Sequence, residues 1–229
     1  IEELDSLITT IITKIIEKGK TPIVIGGGHN NALPIINACF NTTNSKMDVV
    51  NLDPHADTRA LEGRHSGNSF SYGLVNKWIN KYNVLGLHKA YNSQFIINFL
   101  KEHNCTFTYF EDYLEEKQDI WKDLIDITES NTDHLLGVEL DMDSIAYMPS
   151  SAMSPTGWSI EQARKYIQIL RKSQRKIAYL HLTEAAPETN EEKPFFLEFF
   201  VVNPGKAQDR PTFGQLGETP SYLMVKIGT

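Results

Sequence analysis

Cysteine is scarce in this chain: Cys39 and Cys105 are the two among 229 residues, and they stand far apart. That rules out a cysteine-type zinc site or a disulfide framework, and two reduced thiols fit a cytoplasmic setting. No apolar run approaches the roughly 20 residues of a membrane span, so no membrane association is expected. Positive charge is also in short supply, with 22 Lys and Arg against 29 Asp and Glu and a net charge of -7. A general nucleic-acid binder needs clustered basic side chains for phosphate contacts, which this balance argues against. The glycine run Gly26-Gly27-Gly28 lacks both the Gly-x-Gly-x-x-Gly spacing and the Gly-Lys-Ser/Thr ending of phosphate cradles. No break in composition calls for a second domain, so residues 1–229 are expected to form one domain, with an atypical tail over 193–229. The chain opens at Ile1 directly into a helical pattern, and an N-terminal portion of the natural protein is expected to be missing.

The pattern that is present alternates strand and helix. Leu4, Leu7, Ile8, Ile11, Ile12 and Ile15 make a helical stripe that Gly19 stops. Thr21 to Ile25 reads as a short buried strand, and Asn30 or Asn31 can cap a helix starting near Ala32. Further strands are expected at Asp48-Val49-Val50, Tyr82 to Leu87, Thr106 to Phe110, His134 to Leu140 and Lys176 to Leu182. Helices are expected around Tyr72 to Ile79, Ser93 to Glu102, Glu111 to Ser130 and Ile160 to Lys172, the last opened by a Ser159/Gln162 capping box. The fold class that follows is α/β, a mainly parallel sheet with helices on both faces. Phe195 to Val202 reads as strand or apolar helix, and Ser221 to Ile227 as a last strand or a short helix.

Ligands of such sheets gather outside the carboxyl ends of the strands, and the chemistry-bearing residues fall there. Asp53, His55 and Asp57 follow one strand at a spacing of two, so their side chains can converge on one point. Asp141 and Asp143 end a second strand with the same spacing, His29 follows the glycine turn, and Glu184 follows the strand ending at Leu182. Four carboxylates gathered in one cleft repel one another strongly unless a cation sits among them. Two divalent ions balance four negative charges, and oxygen-rich ligation with one imidazole per ion suits manganese better than zinc.

Gly-Gly-Gly-His-Asn, Asn-Leu-Asp-Pro-His-Ala-Asp-Thr-Arg, Leu-Asp-Met-Asp, Met-Ser-Pro-Thr-Gly and Thr-Glu-Ala-Ala-Pro, in that order, resemble the signatures of the ureohydrolase family, which includes arginase, agmatinase and formimidoylglutamase. The resemblance spans roughly Pro22 to Pro187 and implies a three-layer α/β/α domain with a binuclear manganese site. It implies that His29, Asp53, Asp57 and Asp141 hold one ion and His55, Asp53, Asp141 and Asp143 the other, Asp53 and Asp141 bridging. It further implies Asp57 and Glu184 as catalytic residues, with Glu184 pairing with the amidinium or guanidinium of a small amino-acid-derived substrate. Ser66 and Asn68 are candidates for gripping the amino-acid end and Arg59 for pairing with a side-chain carboxylate, while Arg59 as a salt-bridged loop residue is an equal alternative. His65 and His181 are candidate proton relays, with ordinary packing or solvation the preferred role for each. The third glycine, where arginases usually carry Asp, resembles the formimidoylglutamase branch; Phe70 stands where arginases place a shuttle His. Glu139 replaces the Ser or Cys usual in the family before Asp-x-Asp, and Asn30 replaces Glu or Ser. The expected reaction is hydrolysis of N-formimidoyl-L-glutamate to glutamate and formamide, in a homo-oligomer; the alternatives are a urea-releasing arginase or agmatinase, a single-zinc amidohydrolase similar to the histone deacetylases on the same arginase/deacetylase-like fold, which His29 with Asp57 and Asp143 argues against, and a non-catalytic metal-binding relative.

Overall fold

Among the described residues, seven parallel strands form one sheet in the order β4-β3-β2-β5-β6-β1-β7, comprising β1 (Thr21–Ile25), β2 (Met47–Leu52), β3 (Ile79–Leu87), β4 (Thr106–Tyr109), β5 (Leu135–Asp141), β6 (Ile177–Thr183) and β7 (Tyr222–Lys226). The computed structural model describes residues 1–186 and the strand Tyr222–Lys226. The central strands are apolar on both faces because helices cover both: every residue of β2 is buried. On one face α1 (Glu2–Glu17), α2 (Ala32–Thr43), α3 (Ser69–Val75) and α4 (Gln94–Glu102) bring Ile8, Ile12, Ile35, Ile36, Leu74 and Leu100 against Val24, Val49, Tyr82 and Val84. On the other, α5 (Phe110–Leu114), α6 (Ile120–Thr128) and α7 (Ile160–Arg171) bring Phe110, Leu124, Ala163, Tyr166 and Leu170 against Val50, Leu52, Val138 and Leu140. The architecture is therefore the three-layer α/β/α arrangement expected.

Two helices differ from expectation. The helix foreseen over Tyr72 to Ile79 ends at Val75, and Ile79 already begins β3. Lys77 turns back with φ +58°, and Trp78 N–H donates to the Gly73 carbonyl at 3.0 Å, so the chain folds over a glycine whose bare Cα faces Ile79. The single helix foreseen over Glu111 to Ser130 is two: α5 closes at Glu116, φ +55°, and α6 reopens where the Asp119 side chain accepts from Trp121 N–H at 2.9 Å. The Ser159/Gln162 capping box is present as foreseen, both of its hydrogen bonds made. Of the segment expected as strand or short helix, the described part Tyr222–Lys226 is a strand, β7, which runs parallel to β1 from Thr21↔Tyr222 to Ile25↔Lys226. Phe195 to Val202 and most of the 193–229 tail lie outside the described residues.

The strand order positions the site. After β2 the chain steps outward to β4 and then returns to place β5 on the other side of β2. The connections leaving β2 and β5 thus diverge, opening a crevice at their carboxyl ends. Asp53 follows β2 directly, and Asp141 is the last residue of β5.

Candidate metal centre

Each chemical side chain is delivered by the end of a strand and held there by local bonds. Gly26 and Gly27, with φ +84° and +73°, take a left-handed path that side chains disfavour and lead β1 into a 3-10 turn, His29–Asn31. The turn is tied to the end of β6: Gly26 N–H donates to the Leu182 carbonyl at 2.8 Å, and Glu184 N–H and Thr183 Oγ1 donate to the Gly27 carbonyl. His29 is thereby fully buried, and its carbonyl accepts from Ser69 Oγ at 2.8 Å. Asp53 and Asp141 each accept from the backbone N–H two residues on, His55 and Asp143 respectively, both at 2.7 Å. Asp57 and Glu184 adopt φ of +49° and +64°, a region costing a non-glycine residue on the order of 1 kcal/mol.

Three carboxylate oxygens crowd a single ring nitrogen. His29 Nδ1 lies 3.2 Å from Asp53 Oδ2, 2.9 Å from Asp57 Oδ2 and 3.0 Å from Asp141 Oδ2. One donor atom from each of these four residues lies within 4.8 Å of the others. Burial alone would lower the pKa of His29, but Asp141, Asp53, Asp57 and Glu139 together raise it well above its ordinary value. Burial, with repulsion from Asp53 and Asp143, pushes Asp141 well above the usual carboxylate range. The group is short of positive charge.

The donor set fits a divalent cation. Among the described residues neither ring nitrogen of the fully buried His29 finds a hydrogen-bond partner, although three carboxylate oxygens lie within 3.2 Å of Nδ1. A single N–H serves one acceptor well. Oxygens grouped around a nitrogen in this way are instead the arrangement of ligands about a shared ion, and carboxylates with imidazole select hard or borderline metals.

The other sequence candidates divide. His55 Nδ1 stands 3.7 Å from both Asp53 Oδ1 and Asp143 Oδ2, with a third of its side chain exposed and its ring stacked on Tyr91. Asp143 also accepts from Ala152 N–H at 3.0 Å and Ser151 Oγ at 3.3 Å, which anchors the loop after β5. Glu184 Oε1 accepts from His29 N–H at 2.5 Å, placing the carboxylate beside the acidic group. Ser66 is exposed, and the largely exposed Arg59 lies 3.3 Å from Glu62. Asn68 is fully buried with every polar atom engaged: Oδ1 accepts from Arg64 Nη1 and His65 N–H, and Nδ2 donates to the Ala60 and Gly63 carbonyls. Its side chain shapes the loop and has no group left to grip a ligand. His65 faces Glu62, and His181 is buried against Glu139.

Sequence reasoning missed the layer underneath. Asn51 Nδ2 donates to Asp53 Oδ2 at 2.9 Å and lies 3.0 Å from the Tyr82 hydroxyl, which itself donates to the Ala56 carbonyl. Period-two spacing from Asp53 was a signal for Asn51, whereas nothing near Tyr82 marked it. Arg64 was also passed over; it joins Asp5 of α1 at 3.0 Å, the Asn30 carbonyl at 2.8 Å and Asn68 at 3.1 Å. Buried Glu139 is held to a pKa of about 2: burial would raise it, but the neighbouring His181 and His29 outweigh that.

Comparison with known proteins bears on this geometry. The formimidoylglutamase of Staphylococcus epidermidis is 30% identical over 141 residues, covering 61% of this chain and 45% of that protein. The formimidoylglutamase of Staphylococcus haemolyticus is 28% identical over 127 residues, 55% of this chain and 41% of that one. The aligned part of the chain thus spans less than half the length of these curated relatives. Among solved structures, formimidoylglutamase from Bacillus subtilis superposes with a TM-score of 0.75 at 20% identity, over 87% of this chain and 66% of that one. Proclavaminate amidino hydrolase from Streptomyces clavuligerus gives 0.74 at 17% identity, over 88% and 68%. At these identities the structural likeness speaks for the fold. A family model described as the arginase family matches residues 2–195, a stretch that carries His29, both Asp-rich strand ends and Glu184. With the sheet order, the acidic group and this match in agreement, the chain belongs to the arginase family.

Proposed function

We propose that the chain is a binuclear manganese hydrolase that cleaves a C–N bond in a formimidoyl or guanidino derivative of an amino acid, with N-formimidoyl-L-glutamate as substrate. The observation that carries the reading is the four-residue group His29, Asp53, Asp57 and Asp141 with the Glu184 carboxylate beside it. His29, Asp53, Asp57 and Asp141 would hold one ion, and His55, Asp53, Asp141 and Asp143 the other. When bound, such ions supply Lewis acidity and make a water acidic enough to lose a proton near neutral pH. Glu184 pairs with the amidinium of the substrate and orients its carbon toward the acidic group. Asp57, whose side chain retains 12% exposure, accepts the proton lost by the entering water. Ser66 and Arg59, both exposed on the loop after β2, meet the amino-acid end, while Asn68 keeps that loop in shape. The balance is substrate plus water giving glutamate plus formamide, the proton from water leaving on the amine.

The test is to supply the purified chain with Mn2+ and offer N-formimidoyl-L-glutamate, arginine, agmatine and guanidinobutyrate in parallel. Formamide and glutamate are expected from the first alone. Glu184→Gln should lower kcat by roughly a hundredfold, the scale of a misplaced reactant, at unchanged manganese content. Urea release from a guanidino compound would reassign the substrate. Bound manganese without hydrolysis of any of the four would make the chain a non-catalytic relative.

A further inference from the structure

The acidic group stands on a second polar layer that none of its proposed functions requires. In sheet register Asn51 of β2 lies beside Glu139 of β5, which lies beside His181 of β6. This row sits two residues below the strand-end row of Asp53 and Asp141, and so faces the same way. Glu139, Tyr179 and His181 are all fully buried. A buried carboxylate is costly unless its lone pairs are satisfied. Glu139 Oε1 accepts from the Tyr179 hydroxyl at 2.8 Å, and Oε2 pairs with His181 Nδ1 at 2.7 Å. The backbone is cut to allow this: a Cβ at Gly137 would come within 2.6 Å of the Tyr179 ring and 2.7 Å of its hydroxyl.

A further neighbour of this carboxylate is His29, whose Nε2 lies 3.5 Å from Glu139 Oε2, close enough for the charge to favour a proton on that nitrogen although the contact is not a formed hydrogen bond. Among the described residues, Glu139 supplies the one carboxylate within 4 Å of that nitrogen, while three others surround Nδ1. The two faces of the imidazole therefore meet different demands. Nδ1 must offer a lone pair if it is to bind an ion, which requires the proton of the neutral ring to reside on Nε2. A ligating histidine is commonly held in that state by a carboxylate behind it.

We infer that Glu139, braced by Tyr179 and His181, is a positioning residue that keeps the proton of His29 on Nε2 and turns the Nδ1 lone pair toward Asp53, Asp57 and Asp141. The inference rests on the metal-centre reading above and adds to it a residue at which this chain departs from the Ser or Cys of the family pattern. Without Glu139 the Nε2 proton faces a dry interior, and the ring gains by moving it to Nδ1, toward the carboxylates and in competition with the ion.

The experiment titrates the metal-stripped full chain with MnCl2 by calorimetry, counting ions and reading affinity. In parallel, long-range 1H–15N spectra of histidine-labelled, Zn2+-loaded protein read the tautomer of His29. The wild type should bind Mn2+ and show His29 protonated at Nε2. Glu139→Gln should weaken Mn2+ binding by roughly 10- to 100-fold, the usual range for residues behind a metal ligand, and should shift His29 toward the Nδ1–H form with the His55 signals unmoved. Tyr179→Phe, which removes one brace and keeps the ring, should weaken binding by a smaller factor in the same direction. A Glu139→Gln protein that binds Mn2+ within twofold of wild type with the same tautomer overturns the inference and leaves the metal centre standing. Failure of the wild type to bind Mn2+ overturns the metal-centre reading itself. Where circular dichroism shows Glu139→Gln unfolded, Tyr179→Phe decides: unchanged affinity and tautomer overturn the inference.

Discussion

Replacing Asp141 by Asn should change stability in opposite directions with and without metal. One donor atom each of His29, Asp53, Asp57 and Asp141 falls within 4.8 Å of the rest. At about that separation and an effective dielectric near 20, two carboxylate charges repel by about 3 kcal/mol. Burial and the charges of Asp53 and Asp143 already hold the pKa of Asp141 well above its ordinary range. A carboxyl raised on folding gives stability that is fully present below its unfolded pKa, near 4, and is lost as pH rises through the folded value. At pH 8 the metal-free wild type therefore carries that loss, and Asp141→Asn removes it. The substitution keeps an oxygen to accept from Asp143 N–H, the 2.7 Å bond at the start of the 3-10 turn. In EDTA the variant should be as stable as the wild type or more so, by at most about 3 kcal/mol. With Mn2+ at a hundred times its dissociation constant, the wild type gains about 2.7 kcal/mol, or roughly 5–11 °C in Tm for a chain of this size. Asp141→Asn should keep less than a quarter of that gain. Thermal denaturation at pH 8 in EDTA and in MnCl2 provides all four values. A variant that is weaker than wild type in EDTA yet gains equally from Mn2+ would refute the claim that crowded carboxylates, relieved by a cation, govern this cleft.

Gly137→Ala should cost about 1–3 kcal/mol by overpacking, because its Cβ would meet Cε1 of the Tyr179 ring at 2.6 Å; Tm should drop by several degrees, and adding Tyr179→Ala should make the two changes clearly less than additive. Burial pushes both Cys39 and Cys105 thiols up to about 12, which leaves a thiolate fraction on the order of 10^-4 at pH 8; an Ellman assay should titrate them promptly in guanidinium but not in the native protein, and rapid native labelling of both at pH 8 would contradict the burial. Asn68→Ala strips the loop after β2 of its side-chain bonds to the Ala60 and Gly63 carbonyls and to Arg64; a loss of about 2–4 kcal/mol is expected for such buried bonds, with faster tryptic cleavage at Arg59 and Arg64, and an unchanged digestion pattern would return Asn68 to the list of free substrate contacts.

The sequence made the sheet legible because its parallel strands are buried on both faces and read as apolar runs, as Met47–Leu52 and Leu135–Asp141 illustrate. The acidic group was legible for a related reason: a strand end fixes the direction of alternate side chains, so Asp-x-His-x-Asp and Asp-x-Asp announce convergence before any fold is known. Both helix misreadings lay where the chain turns back through a left-handed residue other than glycine, Lys77 and Glu116, positions at which composition gives no warning. Asn68 looked like a ligand contact because an exposed loop asparagine would be one; its burial is set by Arg64, whose partner Asp5 is 59 positions away.

The layer beneath the site was illegible for a stronger reason. Glu139, read alone, is an isolated charge in an apolar strand, a feature that sequence patterning treats as a defect. It becomes intelligible only across three strands, where register places His181 beside it and the absence of a side chain at Gly137 admits Tyr179. A Ser at 139 would need neither partner, so Glu139, Tyr179 and His181 are expected to act as a unit. Glu139→Ser alone should therefore leave His181 and the Tyr179 hydroxyl buried without their acceptor, which costs more than the carboxylate did when paired. Glu139→Ser combined with Tyr179→Phe should recover part of that loss, because it removes one of the stranded donors. Denaturant titration of the single and double variants tests this, and a double variant less stable than the sum of the two single changes would show that the residues do not act as a unit.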